Sequence, residues 1–261
     1  MQTKFTELTD SQWQYIEKIL EKEQGKRKRH HDLRRIFNAI LWITRTGAQW
    51  RNLDGRYPNW NIVYYYFAKW QRLNILTKLL SDLVIAERIR NNRERKASRV
   101  AIDSQSVKKV SFISLETGVD GGKKVNGRKR HIAVDSLGLP IAISVTSAQV
   151  HDGQGGFELL WQLEERSDRL SLICADLAYR GEFSSAVEDI YKWRIEITQK
   201  PESPQGFVPQ KGRWQVERSF SWLNFFRRLA KDYERTVDSA IAFVQLAFGS
   251  IILARNPNLE S

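Results

Sequence analysis

Val100-Ala101-Ile102-Asp103 is a short apolar run that ends in an acid, and the hydrophobic pattern of the chain changes at this stretch. Before it, apolar residues recur every three or four positions, which is the period of an amphipathic helix. Behind it, the pattern predicts the order strand, hairpin, helix, strand, helix, strand and helix. A loop rich in glycine, lysine and arginine is expected from Gly121 to Lys129, and the first strand of the hairpin from His131 to Val134. We therefore expect an α/β domain with a mixed five-stranded sheet and flanking helices, preceded by an all-α domain.

The boundary between these domains is predicted from a charged run with few apolar residues, Asn91 to Ser98. Such a run cannot contribute to a packed core, so it is typical of a connection between domains. We place a helical domain at residues 1–92 and an α/β domain at residues 93–261.

The composition favours a soluble globular protein with a polyanionic partner. Lysine and arginine number 42 against 30 aspartates and glutamates, so the net charge is +12. An excess of this size favours binding to nucleic acid or to an anionic membrane surface, although a basic protein can also be merely soluble. The one cysteine, Cys174, excludes a disulfide framework and a cysteine-based zinc site, and its apolar neighbours predict a buried position.

No stretch of the sequence predicts a membrane segment. Met1 to Asp10 has no apolar core of the kind that a signal peptide needs. The longest uncharged run, Ser239 to Ala254, is shorter than a bilayer span and predicts a buried helix. We therefore expect a cytoplasmic, nucleoid-associated protein that does not bind a membrane.

The predicted helix Asn59 to Leu73 has the outline of a DNA-reading element. Its core positions are Trp60, Val63, Tyr64, Phe67 and Trp70. Its opposite side carries Asn61, Tyr65, Lys69 and Arg72, which are side chains able to contact bases and phosphates. With the helix before it, this segment resembles a helix-turn-helix, although a plain helical bundle gives the same pattern.

A basic run between the first two predicted helices is a second candidate for phosphate contact. It consists of Lys26, Arg27, Lys28 and Arg29, followed by two histidines. Runs of this kind are often only solvated, but in so basic a chain they favour contact with a phosphate backbone.

Three acids are candidates for a metal site. Asp103 and Asp176 each follow a predicted strand, and open α/β sheets place their sites at the carboxyl ends of strands. Two neighbouring carboxylates repel unless a cation neutralises them, and hard oxygen ligands suit Mg²⁺ or Mn²⁺. Glu217 is the candidate third ligand. It lies on a predicted helix from Arg213 to Leu223, whose apolar stripe is Val216, Phe220 and Leu223. Alone, each acid could instead be a helix cap, a loop acid or a surface ion pair.

Three further acids compete with these candidates and rank below them. Asp135 lies in a predicted hairpin turn, where aspartate is favoured for local reasons, and Asp152 could cap the helix that follows it. Glu234 is the main alternative to Glu217.

Several segments together resemble the DDE transposases of bacterial insertion sequences, in particular family five of the four/five group. In the first half they are Leu8 to Trp13, Gly47 to Leu53 and Tyr64 to Trp70; in the second half they are Ala101 to Lys108, Gly127 to His131, Ala175 to Gly181 and Arg213 to Arg218. The resemblance covers nearly the whole chain, and it is specific only when these segments are taken together.

The resemblance implies an RNase H-like catalytic domain in which three acids, Asp103, Asp176 and Glu217, bind two divalent ions, Mg²⁺ or Mn²⁺. The group also has a signature of Tyr, Arg, Glu and Lys on the final helix. Arg213 fits its Arg position, whereas the Tyr and Lys positions hold Gln210 and Asn224.

Two arginines one turn further on, Arg227 and Arg228, could contact DNA in place of the missing lysine. The spacing of Asp176 and Glu217 is short, which leaves little room for a large insertion domain and implies a compact catalytic core.

By the same resemblance, the expected activity is cleavage at the ends of a mobile element and joining of the 3′-hydroxyls to target DNA, by a homodimer or larger assembly on the DNA ends. Two alternatives remain open at this point. One is a structure-directed RNase H-like nuclease, and the other is a non-catalytic helix-turn-helix regulator.

Overall fold

A computed structural model of the chain describes residues 5–24, 31–198 and 212–259. The basic run Lys26 to Arg29 and the signature position Gln210 lie outside these residues. The chain divides into two compact units. The helical unit contains the residues up to Leu83, Leu223–Ala230 and the residues from Asp238 onward. The sheet unit contains Val84–Trp222 and Lys231–Val237. The functional boundary at residues 92 and 93 stays a prediction.

The helices form where apolar residues recur every three or four positions. Most of their ends lie within one turn of the predicted ends. They are α1 (Asp10–Gln24), α2 (Leu33–Thr46), α3 (Trp60–Arg72), α4 (Ile75–Arg90), α5 (Asp152–Arg166), α6 (Glu182–Asp189), α7 (Trp214–Leu223) and α8 (Val237–Arg255). The start of α1 is a reciprocal capping box, in which the Thr9 amide donates to the Gln12 side chain and the Gln12 amide to the Thr9 hydroxyl.

The helical unit has an aromatic core around α3 and α8. The rings of Phe67 and Phe243 stack with centroids 4.9 Å apart, and Trp50 packs against both. By length and composition alone α8 could cross a membrane, but 67% of its apolar window is buried inside the protein. The prediction of a buried helix here is confirmed.

The sheet unit contains one mixed sheet, and its fold class is the predicted one. The strands are β1 (Arg99–Lys108), β2 (Gly118–Asp120), β3 (Val125–Val134), β4 (Pro140–Ser147), β5 (Leu172–Asp176) and β6 (Arg194–Thr198). Five of them lie in the order β4, β3, β1, β5, β6; β1, β3 and β4 pair antiparallel, while β1, β5 and β6 pair parallel. The short β2, which also pairs with β3, makes a sixth strand that the sequence pattern did not indicate.

The two faces of the sheet differ because side chains alternate along a strand. Val100, Ile102, Ile173 and Ala175 belong to a buried core that also contains apolar residues of α5 and α6. The intervening residues of β1 and β5 point to the other face. A methyl group added to Gly212, which directly precedes Arg213 and α7, would lie 3.3 Å from the Cys174 sulfur on that face. Cys174 is fully buried, as expected.

Two expectations about strand limits are wrong. Asp103 does not end its strand, because β1 continues to Lys108 in register with β3. The predicted loop Gly121 to Lys129 is a loop only in its first half, since β3 begins at Val125. The sequence did not reveal this because the side chains of β3 from Arg128 to His131 are polar, yet all are buried.

These buried polar side chains of β3 have partners inside the sheet unit. Arg128 Nη1 lies 3.0 Å from Asp232 Oδ2 and donates to the Glu234 carbonyl oxygen. His131 Nε2 lies 2.9 Å from the Thr146 hydroxyl, and burial lowers the pKa of His131 to about 4. Burying charge without a partner is costly, so these contacts allow a basic run to occupy the middle of a sheet.

The low pKa of His131 predicts a pH-dependent stability. The unfolded chain binds a proton on this imidazole below about pH 6.5, whereas the folded protein does so only below about pH 4. The free energy of unfolding should therefore fall as the pH is lowered through this window, by roughly 3 kcal/mol in total from this group. Urea unfolding at pH 7 and pH 4 measures the loss. His131→Gln should lose less; an equal loss would contradict the assignment.

Candidate active site

The parallel pairing of β1 with β5 places Asp103 and Asp176 side by side. Ala101 is paired with Cys174 in this register, and each aspartate follows two residues further along its strand. Because the side-chain period of a strand is two, both carboxylates lie on the face of Ala101 and Cys174. The predicted convergence of Asp103 and Asp176 therefore rests on the register of two strands.

One guanidinium bridges the two carboxylates. Arg213 Nη2 lies 3.1 Å from Asp103 Oδ2 and 3.6 Å from Asp176 Oδ2, and Arg213 is only 2% exposed. The Oδ1 atoms are engaged locally, since Asp103 accepts from the Ser104 amide and Asp176 from the Ala178 amide. Each aspartate thus directs its second oxygen to the same cation.

The electrostatics of the pair favour a neighbouring cation. Burial raises the pKa of Asp103 to about 6, although Arg213 and the Ser104 amide act to lower it, and the Asp176 carboxylate adds to the increase. Two acids that share a poorly solvated position favour protonation unless positive charge compensates them. Hard oxygen donors around a positive centre are the donor set of a divalent cation such as Mg²⁺. The two aspartates are therefore donors of the kind that such an ion takes, and here they face the Arg213 guanidinium.

Glu217 does not complete this group as the sequence had led us to expect. Among the residues that the structure describes, no three His, Cys, Asp or Glu side chains are gathered closely enough to hold a metal ion. Glu217 is half-buried in the first turn of α7, one turn beyond Arg213, and the apolar stripe Val216, Phe220 and Leu223 is buried as predicted. Glu217 is therefore on the correct element, but its carboxylate is not in a three-acid cluster.

The position of α7 is set by the turn between β3 and β4. Arg218 Nη2 donates to the Leu137 carbonyl oxygen at 2.8 Å, and the Ser219 hydroxyl donates to that of Gly138 at 2.8 Å. The Arg218 guanidinium also lies against the rings of Trp214 and Trp222, at 4.4 and 4.8 Å from their centroids. These contacts fix the side of α7 next to Glu217.

The sequence did not reveal a group of buried polar side chains near β1, which includes Lys129 and Tyr179. Lys129 Nζ lies 2.6 Å from Asp152 Oδ1 and donates to the Val150 carbonyl oxygen. Tyr179 is fully buried, and burial raises its pKa well above the usual value, with Asp103, Asp152 and Asp176 adding to the increase. The only sequence signal for Tyr179 was its place three residues after Asp176.

The competing acids have structural partners elsewhere. Asp135 is buried against Arg88 and accepts from the amides of Leu137 and Leu139, which is the local role expected of a turn acid. Glu234 is buried near Arg130. Burial lowers the pKa of Arg130, and the Glu234 carboxylate acts in the opposite direction. Asp152 does not cap α5, because His151 is the capping residue and Asp152 pairs with Lys129. None of the three joins the aspartate pair.

The predicted DNA-reading face of α3 is exposed. Val63, Phe67 and Trp70 are buried in the helical unit. Asn61, Tyr65 and Arg72 are exposed on the opposite side, and Lys69 is half-buried. The face therefore has the accessibility that contact with DNA requires.

The predicted core side of α3 is partly wrong. The sequence prediction placed Trp60 and Tyr64 in the core, whereas Tyr64 is 45% exposed and Trp60 is half-buried.

The two arginines after α7 differ in accessibility. Arg227 is exposed, whereas Arg228 is buried in the helical unit. The Arg228 guanidinium donates to the Ala48 carbonyl oxygen and lies 4.9 Å from the centroid of the Phe243 ring. Arg228 therefore packs inside the helical unit, and its predicted contact with DNA stays a prediction.

Comparison with known proteins gives a consistent result. A family model described as a transposase DDE domain matches residues 94–252, and a model for transposases of the IS4/5 family matches residues 8–80. A protein of Burkholderia cepacia, assigned as the transposase of insertion sequence element IS402, is 31% identical over 46% of this chain and 60% of its own length. A Brucella ovis protein assigned to element IS6501 is 28% identical over 48% of this chain and 97% of its own length.

The contact between α7 and the β3–β4 turn predicts a sensitive position at Gly138. This residue has φ 77°, and a methyl group here would lie 2.8 Å from the Ser219 hydroxyl and 3.0 Å from Arg218 and Trp222. Gly138→Ala should lower the free energy of unfolding by about 1–3 kcal/mol in urea titrations. Gly121→Ala, where the space is open, is the control and should change it by less than about 0.5 kcal/mol. Equal effects would show that the turn does not support α7.

Proposed function

Because the chain belongs to the DDE transposase family, we propose that it is a DNA transposase that cleaves DNA at the ends of its insertion sequence and joins the 3′-hydroxyls to target DNA. The observation that carries this proposal is the pair Asp103 and Asp176, side by side and bridged by a buried cation. The family match covers more than half of the chain, and the aspartates lie on the two strands where the resemblance expects them.

Transposases of this family depend on divalent metal ions. We propose that Asp103 and Asp176 would hold two such ions, Mg²⁺ or Mn²⁺, in place of the Arg213 guanidinium that now faces them. Glu217 is the third proposed ligand, since it is the acid on the helix that begins next to Arg213. Bound ions of this kind activate an attacking hydroxyl and stabilise a leaving oxygen in phosphoryl transfer.

The protein's own residues supply position and charge. The Ser104 and Ala178 amides hold the Oδ1 atoms of the two aspartates, which leaves the Oδ2 atoms for ligation. Arg218 and Ser219 hold α7, and therefore Glu217, against the β3–β4 turn. Arg213, which can bind phosphate oxygens through two parallel N–H groups, is the proposed contact for the DNA backbone beside the acids.

We propose that the helical unit binds the inverted repeats at the element ends. The proposed contacts are the exposed α3 side chains Asn61, Tyr65 and Arg72 and the half-buried Lys69. Arg227 and the run Lys26 to Arg29 are further candidates by charge.

The family resemblance suggests at least a dimer for the joining of two element ends, so we propose a homodimer or larger assembly on DNA, acting in the cytoplasm at the nucleoid. Sedimentation of the protein with and without end DNA tests the assembly; a complex with a single chain would contradict it.

Substitution of the acids tests the site. Asp103→Asn, Asp176→Asn and Glu217→Gln should each lower strand transfer in Mg²⁺ or Mn²⁺ by at least about a hundredfold, because each removes charge needed to bind the ions. Gel assays of nicked and joined DNA measure both steps, and circular dichroism checks that the variants fold. Asp168→Asn, at an exposed acid of the same unit, is the control and should remain active.

The same assay separates the alternatives. Full joining by any of the three variants would contradict the site assignment. Cutting without joining by the wild type would favour the structure-directed nuclease. DNA binding without any cleavage, unchanged in all three variants, would favour the non-catalytic regulator.

The α3 face is tested by the salt dependence of DNA binding. Lys69→Gln and Arg72→Gln should each weaken binding to the element ends and reduce the slope of log K against log salt by about one, since each removes one phosphate contact. Fluorescence anisotropy over a salt series measures this slope. Lys18→Gln removes an exposed charge from α1 and should leave the slope unchanged. If the α3 variants behave like Lys18→Gln, this face does not contact DNA.

A further inference from the structure

Arg213 is held by the two acids that the proposed function assigns to metal binding. Its Nη2 contacts Oδ2 of both Asp103 and Asp176, at 3.1 and 3.6 Å. The other oxygen of each carboxylate already accepts a backbone amide. The guanidinium therefore occupies the oxygens through which a metal ion would bind.

The charges in this arrangement make the two cations mutually exclusive. A divalent ion on both Oδ2 atoms would lie where the guanidinium now lies, and two like charges in one poorly solvated position repel strongly. Arg213 is almost fully buried, so its displaced guanidinium needs another anionic partner. A DNA phosphate is such a partner, because the planar guanidinium can donate two parallel N–H bonds to its two non-bridging oxygens.

We propose that Arg213 is an exchangeable counter-cation that couples metal binding to DNA binding. It neutralises Asp103 and Asp176 when no metal ion is bound, and it moves to a DNA phosphate when divalent ions occupy the carboxylates. This inference rests on the metal ligands proposed above. Because coupling between two ligands is reciprocal, DNA must then raise the affinity for metal by the same factor by which metal raises the affinity for DNA.

Binding of Mn²⁺, followed by the electron paramagnetic resonance signal of the ion in solution, tests the proposal without measuring activity. Without DNA, Arg213→Gln should bind Mn²⁺ roughly tenfold more tightly than the wild type, because the competing cation is gone. A short DNA duplex should raise the Mn²⁺ affinity of the wild type several-fold and that of Arg213→Gln much less. Equal or weaker Mn²⁺ binding by Arg213→Gln would overturn the proposal, since a residue that only positions the acids should help the metal to bind.

Two controls separate this result from other causes. Arg169→Gln removes an arginine that is paired with exposed Glu94 at 3.8 Å in the same unit, and it should leave Mn²⁺ affinity unchanged. If it tightens binding as much as Arg213→Gln does, the effect is one of net charge and the proposal fails.

Asp103→Asn should lose Mn²⁺ binding. If it does not, the metal ligands of the proposed function are wrong, whatever Arg213 does. If Arg213→Gln does not fold, the Mn²⁺ affinity of the wild-type protein with and without DNA tests the proposal. An affinity that the DNA duplex leaves unchanged overturns the coupling.

Discussion

The parallel pairing of β1 with β5 is the constraint on which the candidate active site depends. Ala101 lies opposite Cys174 in this register, and so Asp103 and Asp176 stand at equivalent positions on one face of the sheet. A shift of one residue in either strand would turn one of the acids into the apolar core shared with α5 and α6. The buried residues of that core, such as Ile102 and Ile173, therefore determine the position of the acids as well as the stability of the sheet.

Bringing two carboxylates together creates a demand for positive charge, and the protein meets it with Arg213 from a distant part of the chain. The same principle organises the rest of the sheet. The basic residues of β3 lie inside the fold, where Lys129 faces Asp152 and Arg128 faces Asp232. Buried charges are tolerated only when they are paired, so these side chains do not contribute to the basic surface that a DNA-binding protein needs. That surface must come from exposed residues such as those of α3.

The helix α7 connects the electrostatics of the site with its geometry. Arg213 precedes its first residue, Glu217 lies in its first turn, and Arg218 anchors it to the β3–β4 turn. A movement of α7 would therefore shift both the Arg213 guanidinium between the aspartates and the proposed third acid, Glu217. The proposed metal ligand Glu217 and the proposed DNA contact Arg213 therefore depend on the position of the same helix.

The sequence by itself determined the local features: the helix limits, the capping box at Thr9, the buried stripe of α7, the α/β order of elements and the place of Asp176 at a strand end. Each depends on residues a few positions apart, whose periodicity or capping chemistry is visible in the sequence. The tertiary structure alone decided which charges meet. Arg213 was expected to contact DNA, but it lies between two acids. The strand β3 was expected to begin after its basic residues, but it includes and buries them. Contacts between charged residues so far apart in the chain depend on strand register and burial, because the energy of a charge depends on what surrounds it in the fold.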